Sequence, residues 1–99
     1  YYVSFAGITG AARLDLAPVR ERVAAIKART RTPVAVGFGV KEAAQAVALA
    51  EFADAVVIGS ALVETLAGSA DAQAACARAR DFLAPIRHAL DGVRRAVRD

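Results

Sequence analysis

The chain has 99 residues, 57% of them hydrophobic and 23% charged, with a formal net charge of +3. So apolar a composition excludes an intrinsically disordered chain, and the basic residues alternate with acids (Arg20-Glu21-Arg22, Arg80-Asp81, Arg87 to Asp91), the patterning of solvated helix surfaces and not of a nucleic-acid tract. Charges interrupt the longest apolar runs well before the ~20 residues of a membrane span, and the single Cys76 excludes an internal disulfide.

Tyr1 to Phe5 reads as a first strand, with Tyr1, Val3 and Phe5 on one face and Tyr2 and Ser4 on the other. Ala6 to Gly10 is a turn of small residues, and Ala11 to Leu16 leads to a helix. Asp15 or a neighbour is its expected cap, and Pro18 suits its first turn. Val19, Val23 and Ile26 predict one buried stripe. Lys27, Arg29 and Arg31 gather at its end, where cations favour the helix dipole. Thr32-Pro33 ends the helix, because the residue before proline is pushed out of the α region.

Pro33-Val-Ala-Val-Gly-Phe-Gly-Val40 organises the chain. Pro33 to Gly37 predicts a short buried strand, Gly37-Phe38-Gly39 opens the backbone, and Lys41 to Ala50 predicts a helix. Ala43, Val47 and Ala50 are expected toward the sheet, with Glu42 and Gln45 in solvent. Phe52-Ala-Asp54 turns the chain into a third strand, Ala55 to Ile58. Gly59-Ser60 follows, then a short helix from Ala61 to Leu66. Ser69 is the expected cap of a long helix from about Ala70, with Asp71 in its first turn. Phe82, Ile86, Leu90, Val93 and Val97 recur at helical spacing, and Pro85 among them predicts a kink or break. Cys76 is expected as a small buried thiol, which fits a reducing cytoplasm. His88, the single histidine, is expected at the surface.

Strand, glycine turn and helix, repeated, predict a parallel α/β fold. The turns would gather main-chain N–H groups at the C-terminal edge of the sheet. Gly59-Ser60 before a short helix adds a dipole and a hydroxyl, an arrangement that suits an anion. In βα barrels a phosphate site is commonly built by the loops after the last two strands and a short extra helix. No Lys or Arg lies within Gly37 to Gly39 or Gly59-Ser60, so a phosphate would be held by main-chain and hydroxyl hydrogen bonds.

Tyr1-Tyr-Val-Ser-Phe-Ala-Gly-Ile-Thr-Gly10, Pro33-Val-Ala-Val-Gly-Phe-Gly-Val40 and Ala55-Val-Val-Ile-Gly-Ser-Ala-Leu-Val63 together resemble the last three strands of the tryptophan synthase α chain. The resemblance implies an α/β fold, the C-terminal portion of a (βα)8 TIM barrel, with three parallel strands and covering helices. Residues 1–99 would form a single partial domain: strand 6, helix 6, strand 7, helix 7, strand 8, the short extra helix and helix 8. The absence of Met and a start inside a strand lead to the same expectation, an excerpt of a longer protein.

The family it resembles cleaves indole-3-glycerol phosphate to indole and glyceraldehyde 3-phosphate, a carbon–carbon lyase of tryptophan biosynthesis in the cytoplasm. Indole passes to a β chain, which holds the pyridoxal phosphate; the α chain carries no cofactor and no metal. Gly10, Gly39, Gly59 and Ser60 match the family's phosphate-binding positions. Tyr1 matches a tyrosine near the substrate, Phe38 a ring lining the indole pocket, and Thr9 the threonine of the mobile loop after strand 6. Phe5 stands where many members have a polar or small residue, and Pro85 departs from the expected last helix.

The family's catalytic glutamate and aspartate lie on early strands, so the resemblance implies no catalytic residue here. Glu42, Glu51 and Glu64 fall on helices, not at strand ends. The chain alone is therefore expected to be inert, and its parent a lyase. Two other readings stay open. Another phosphate-binding barrel, an isomerase or epimerase, would need a catalytic acid, Cys or His at a strand end. A self-associating half-barrel would need a polar face over its sheet edges.

Overall fold

Short runs of small and β-branched residues, each followed by a glycine turn, form the sheet. A computed structural model describes residues 1–3, 16–37 and 39–98. Its elements are β1 (Tyr2–Val3), α1 (Ala17–Lys27), β2 (Ala35–Gly37), α2 (Ala43–Ala50), β3 (Ala55–Val57), α3 (Ser60–Leu66) and α4 (Ala72–Arg98). The strands are parallel in the order β1-β2-β3. Tyr2 pairs with Val36 and Val3 with Gly37; Ala35, Val36 and Gly37 pair with Ala55, Val56 and Val57.

This register sorts the strand side chains onto two faces. Tyr2, Val36 and Val56 share one, and the helices cover it. Val34 and Val36 pack there with Val19 and Val23 of α1, Ala46 and Leu49 of α2, and Ile86 of α4. Tyr1, Val3, Ala35, Gly37, Ala55 and Val57 share the other. On it Tyr1 is 72% and Val3 51% exposed, which settles the side the alternation alone left open. Expected strand residues Ser4 and Phe5 lie outside the described set, as do the turn at Ala6 to Gly10 and the lead-in to Asp15.

Helix α1 starts after Leu16, which makes no side-chain cap, and Pro18 stands in its first turn as expected. Val19 and Val23 are buried, but Ile26 is 37% exposed: the stripe outlasts the residues it packs against. In α2 the buried positions are Ala46 and Leu49, with the expected Ala43, Val47 and Ala50 only half-buried. The helix packs against both β3 and α4, so its cover is wider than one stripe and its centre is displaced. Gln45 is half-buried as well. It completes a capping box with Glu42 and accepts the Lys41 and Glu42 N–H groups at 2.8 and 3.1 Å.

Asp71, not Ser69, caps α4: its Oδ1 accepts the Ala74 N–H at 2.8 Å. The Ser69 hydroxyl instead donates to the Leu66 carbonyl at 2.7 Å and closes α3. Helix α4 runs unbroken through Pro85. Pro85 and Asp81, whose carbonyl the proline leaves without a helical donor, are both exposed, so water can take that bond. Ile86 beside it is buried, and Phe82 and Leu90 pack against the same core. Val93 is half-buried; the side chain of Val97 lies outside the described set. Cys76 is exposed, contrary to expectation: the apolar stripe of α4 runs through other positions. His88 is exposed, as expected.

Candidate functional site

The parallel strands bring Gly39 and Gly59-Ser60 to one edge, just past the C-terminal ends of β2 and β3. Gly39 has φ +48°, a left-handed conformation that glycine adopts without the cost of a Cβ. It lets the chain leave β2 and reach Glu42, where α2 begins. Gly59 differs. Its φ is −121°, and a Cβ built on it would meet no described atom within 4 Å.

Gly59 is also the N-cap of α3. The first helical bond runs from the Val63 N–H to the Gly59 carbonyl at 3.1 Å. The N–H groups of Ser60, Ala61 and Leu62 precede that bond, as in any helix start. Ser60 itself is exposed.

Tyr1 lies on the uncovered face and crosses to β2. A Cβ on Gly37 would stand 2.6 Å from the Tyr1 Oη, 3.1 Å from its Cε1 and 3.0 Å from the Val57 Cβ. Gly37 thus makes room for the phenol, a role that its reading as a turn residue missed. That role depends on the register of β1 against β2, which places the Tyr1 phenol over Gly37. Tyr1 thus lies on the uncovered face, and Gly39, Gly59 and Ser60 follow the C-terminal ends of β2 and β3. Thr9, Gly10 and Phe38 lie outside the described residues.

The opposite edge carries a cleft of about 610 Å³ between α1, the start of β3 and α4, lined by Lys27, Phe52, Asp54, Arg87, Leu90 and Val93 among others. It is far from the glycine turns, and its charges are paired. Lys27 Nζ stands 3.4 Å from Asp54 Oδ1, and Arg87 bonds Asp91 at 2.7 Å within α4. The Val34 N–H bond, above all, holds the Asp54 carboxyl below its ordinary value; burial works against it, and Lys27 adds to the lowering. Of the glutamates, Glu42 caps α2, Glu51 pairs with Arg20 at 3.1 Å, and Glu64 lies in α3. Arg20 also stacks 5.0 Å from the centre of the Phe52 ring.

The family model of the tryptophan synthase alpha chain matches residues 1–90. The chain belongs to that family. It is 54% identical to the tryptophan synthase alpha chain of Xylella fastidiosa strain M12 over 94 residues, which is 95% of this chain and 35% of that one. The alpha chain of Xanthomonas campestris pv. campestris strain B100 is 54% identical over 92% of this chain and 34% of its own length. The crystal structure of tryptophan synthase subunit alpha from Legionella pneumophila str. Paris superposes with a TM-score of 0.67 at 32% identity, covering 80% of this chain and 30% of that one. The α/β layout is therefore that of part of the tryptophan synthase α barrel. The chain spans about a third of the length of the relatives it matches. Among the described residues no helix is long and apolar enough to cross a membrane.

Proposed function

We propose that this chain is the phosphate-holding, C-terminal part of a tryptophan synthase α chain, a carbon–carbon lyase acting on indole-3-glycerol phosphate. Residues 1–99 are one partial domain of its barrel and supply its strands 6 to 8 with their helices. A whole (βα)8 barrel takes about 250 residues, and the relatives are about three times as long as the matched stretch. The observation that carries the reading is Gly59. It stands just past the C-terminal end of β3 as the N-cap of α3, a Cβ there would meet no described atom within 4 Å, and the N–H groups of Ser60 and Ala61 that follow it suit a phosphate oxygen.

Gly10, Gly39, Gly59 and Ser60 hold the phosphate by main-chain and hydroxyl donors. Tyr1 lies beside the substrate, Phe38 lines the indole pocket, and Thr9 belongs to the loop that orders on binding. The reaction delivers a proton to the indole carbon and removes one from the glycerol hydroxyl. Its acid and base stand on earlier strands, outside these residues, so the chain alone is inert. The α chain needs no cofactor of its own. It delivers indole to a β chain bearing pyridoxal phosphate, and the pair works in the cytoplasm.

The test is made in the full-length α chain with inorganic phosphate and with indole-3-glycerol phosphate. Gly59→Val should weaken both, and Ser60→Ala should cost about 0.5–1.5 kcal/mol of binding, the worth of one hydrogen bond. Unchanged affinity in Gly59→Val removes Gly59 from the site.

A further inference from the structure

One residue pair stands just ahead of the ladder between β2 and β3. The Asp54 N–H donates to the Val34 carbonyl at 2.9 Å. The N–H of Val34, itself buried, then needs an acceptor. In a parallel ladder that acceptor would be a main-chain carbonyl just upstream of Asp54. Phe52 instead belongs to the turn that closes α2, with its N–H on the Leu49 carbonyl at 3.2 Å. Its own carbonyl faces Lys27 Nζ at 3.4 Å. Asp54 Oδ2 takes the vacant role and accepts the Val34 N–H at 2.8 Å.

Two bonds between the same two residues close a ring, and the ring admits one register. A slip by one would set Ala53 or Ala55 against Val34, and neither side chain can accept a bond. The buried N–H would lose its carboxylate acceptor, and every strand side chain would change face. The Lys27–Asp54 pair ties the end of α1 to the same point. Expected only to turn the chain, Asp54 therefore joins α1, β2 and β3.

We propose that Asp54 is a register lock for β2 and β3 and, through them, a positioning residue for the turns at Gly39 and Gly59-Ser60. Those turns lie about 15–20 Å away at ~3.3 Å per strand residue. The second half of the proposal rests on the phosphate reading above; the first half does not. Lys27 from α1, Glu51 from the end of α2 and Arg87 from α4 face the same cleft. Of these, Lys27 bonds Asp54, while Glu51 and Arg87 are engaged by Arg20 and Asp91. Because the carboxyl is held below its ordinary value, the bond to Val34 is charge-assisted above the usual aspartate range and weakens to a neutral one as pH falls through the lowered folded value.

The experiment follows the Val34 amide by nitrogen-15 NMR in the full-length α chain, with inorganic phosphate as the probe at the far edge. The Val34 proton shift should follow one acidic titration with a midpoint below that of free aspartate. D54N, which keeps an acceptor without the charge, should abolish the titration and leave the Val34 amide slow to exchange. D54A should lose the slow exchange and bind phosphate several-fold more weakly than D54N. A Val34 amide without an acid titration overturns the lock, and so does slow exchange in D54A. Equal phosphate affinity in D54A, D54N and the unaltered protein overturns the positioning half while the lock stands. If the unaltered protein takes up no phosphate, the phosphate reading falls and the positioning half with it, and Val34 alone decides the lock. Should D54A not fold, the titration and D54N still decide.

Discussion

The two faces of the sheet are made of nearly the same residues and live in opposite surroundings. Val36, on one, is fully buried; Val3, beside it in the neighbouring strand and on the other, is 51% exposed. The difference is not in the side chains but in what covers them. Helices α1, α2 and α4 lay Val19, Val23, Leu49 and Ile86 over the first face, and no described element covers the second. A parallel strand buried on both faces reads as a continuous apolar run. Val34-Ala-Val36 and Ala55-Val-Val57 read that way, so they carry the pattern of a sheet with two covered faces. The family supplies the context: in a barrel, the face opposite the helices turns inward.

The comparison is broken most severely from the covered side. Leu49 is fully buried at the point where α2 meets the sheet and α4. Leu49→Ala should cost about 2–5 kcal/mol, the transfer term plus the cavity left behind. Urea unfolding of the full-length protein measures it. A loss under about 1 kcal/mol would mean that the helices do not depend on this core for their seat.

The next effect lies on the uncovered face, where space and not burial is the limit. Gly37→Ala places a methyl against the Tyr1 phenol and the Val57 Cβ. Overpacking of this kind costs about 1–3 kcal/mol. The phenol can swing away more easily than β3 can, so part of the cost should vanish when Tyr1→Ala is added. A double-mutant cycle in unfolding free energy checks it. Additive effects would show that Val57, across the ladder, bears the strain and not Tyr1.

The elements that matched the sequence reading are those fixed by local chemistry. Proline at Pro18 and the glycine turns set where α1 begins and where β2 and β3 end. Their order and parallel pairing followed from strand, turn and helix in succession. What escaped were contacts made at a distance. Ile26 continues a stripe beyond the described residues that cover it, and Ala46 and Leu49 became the centre of α2 because α4 covers a second side. Asp54 looked like a turn residue because the donor it meets, Val34, is 20 positions away. The positions of Gly39, Gly59 and Ser60, past strand ends and at a helix start, could be read from the sequence. The relation of Tyr1 to Gly37 could not, since it depends on strand register, which three-residue strands do not encode by pattern alone. Asp71 capped α4 in place of Ser69 because both residues suit a cap, and Ser69 was already drawn to the end of α3.

The smallest change in stability is expected where exposure is greatest. Val3→Lys on the uncovered face should shift the unfolding free energy of the 99-residue chain by no more than about 0.5 kcal/mol, as at other surface positions. Its effect on association should be larger. An apolar sheet face with open strand edges invites a second chain, so the unaltered 99-residue chain should sediment as an associated species. A lysine at position 3 puts a charge into that face and should move the distribution toward monomer. In the full-length α chain the same substitution meets the interior of a barrel, and there it should destabilise, because an unpaired buried ammonium costs far more than an exposed one. The contrast between the two settings is the sharpest form of the comparison. If Val3→Lys were equally mild in both, the second face would be open to water in the whole protein, and the barrel would not close over these strands.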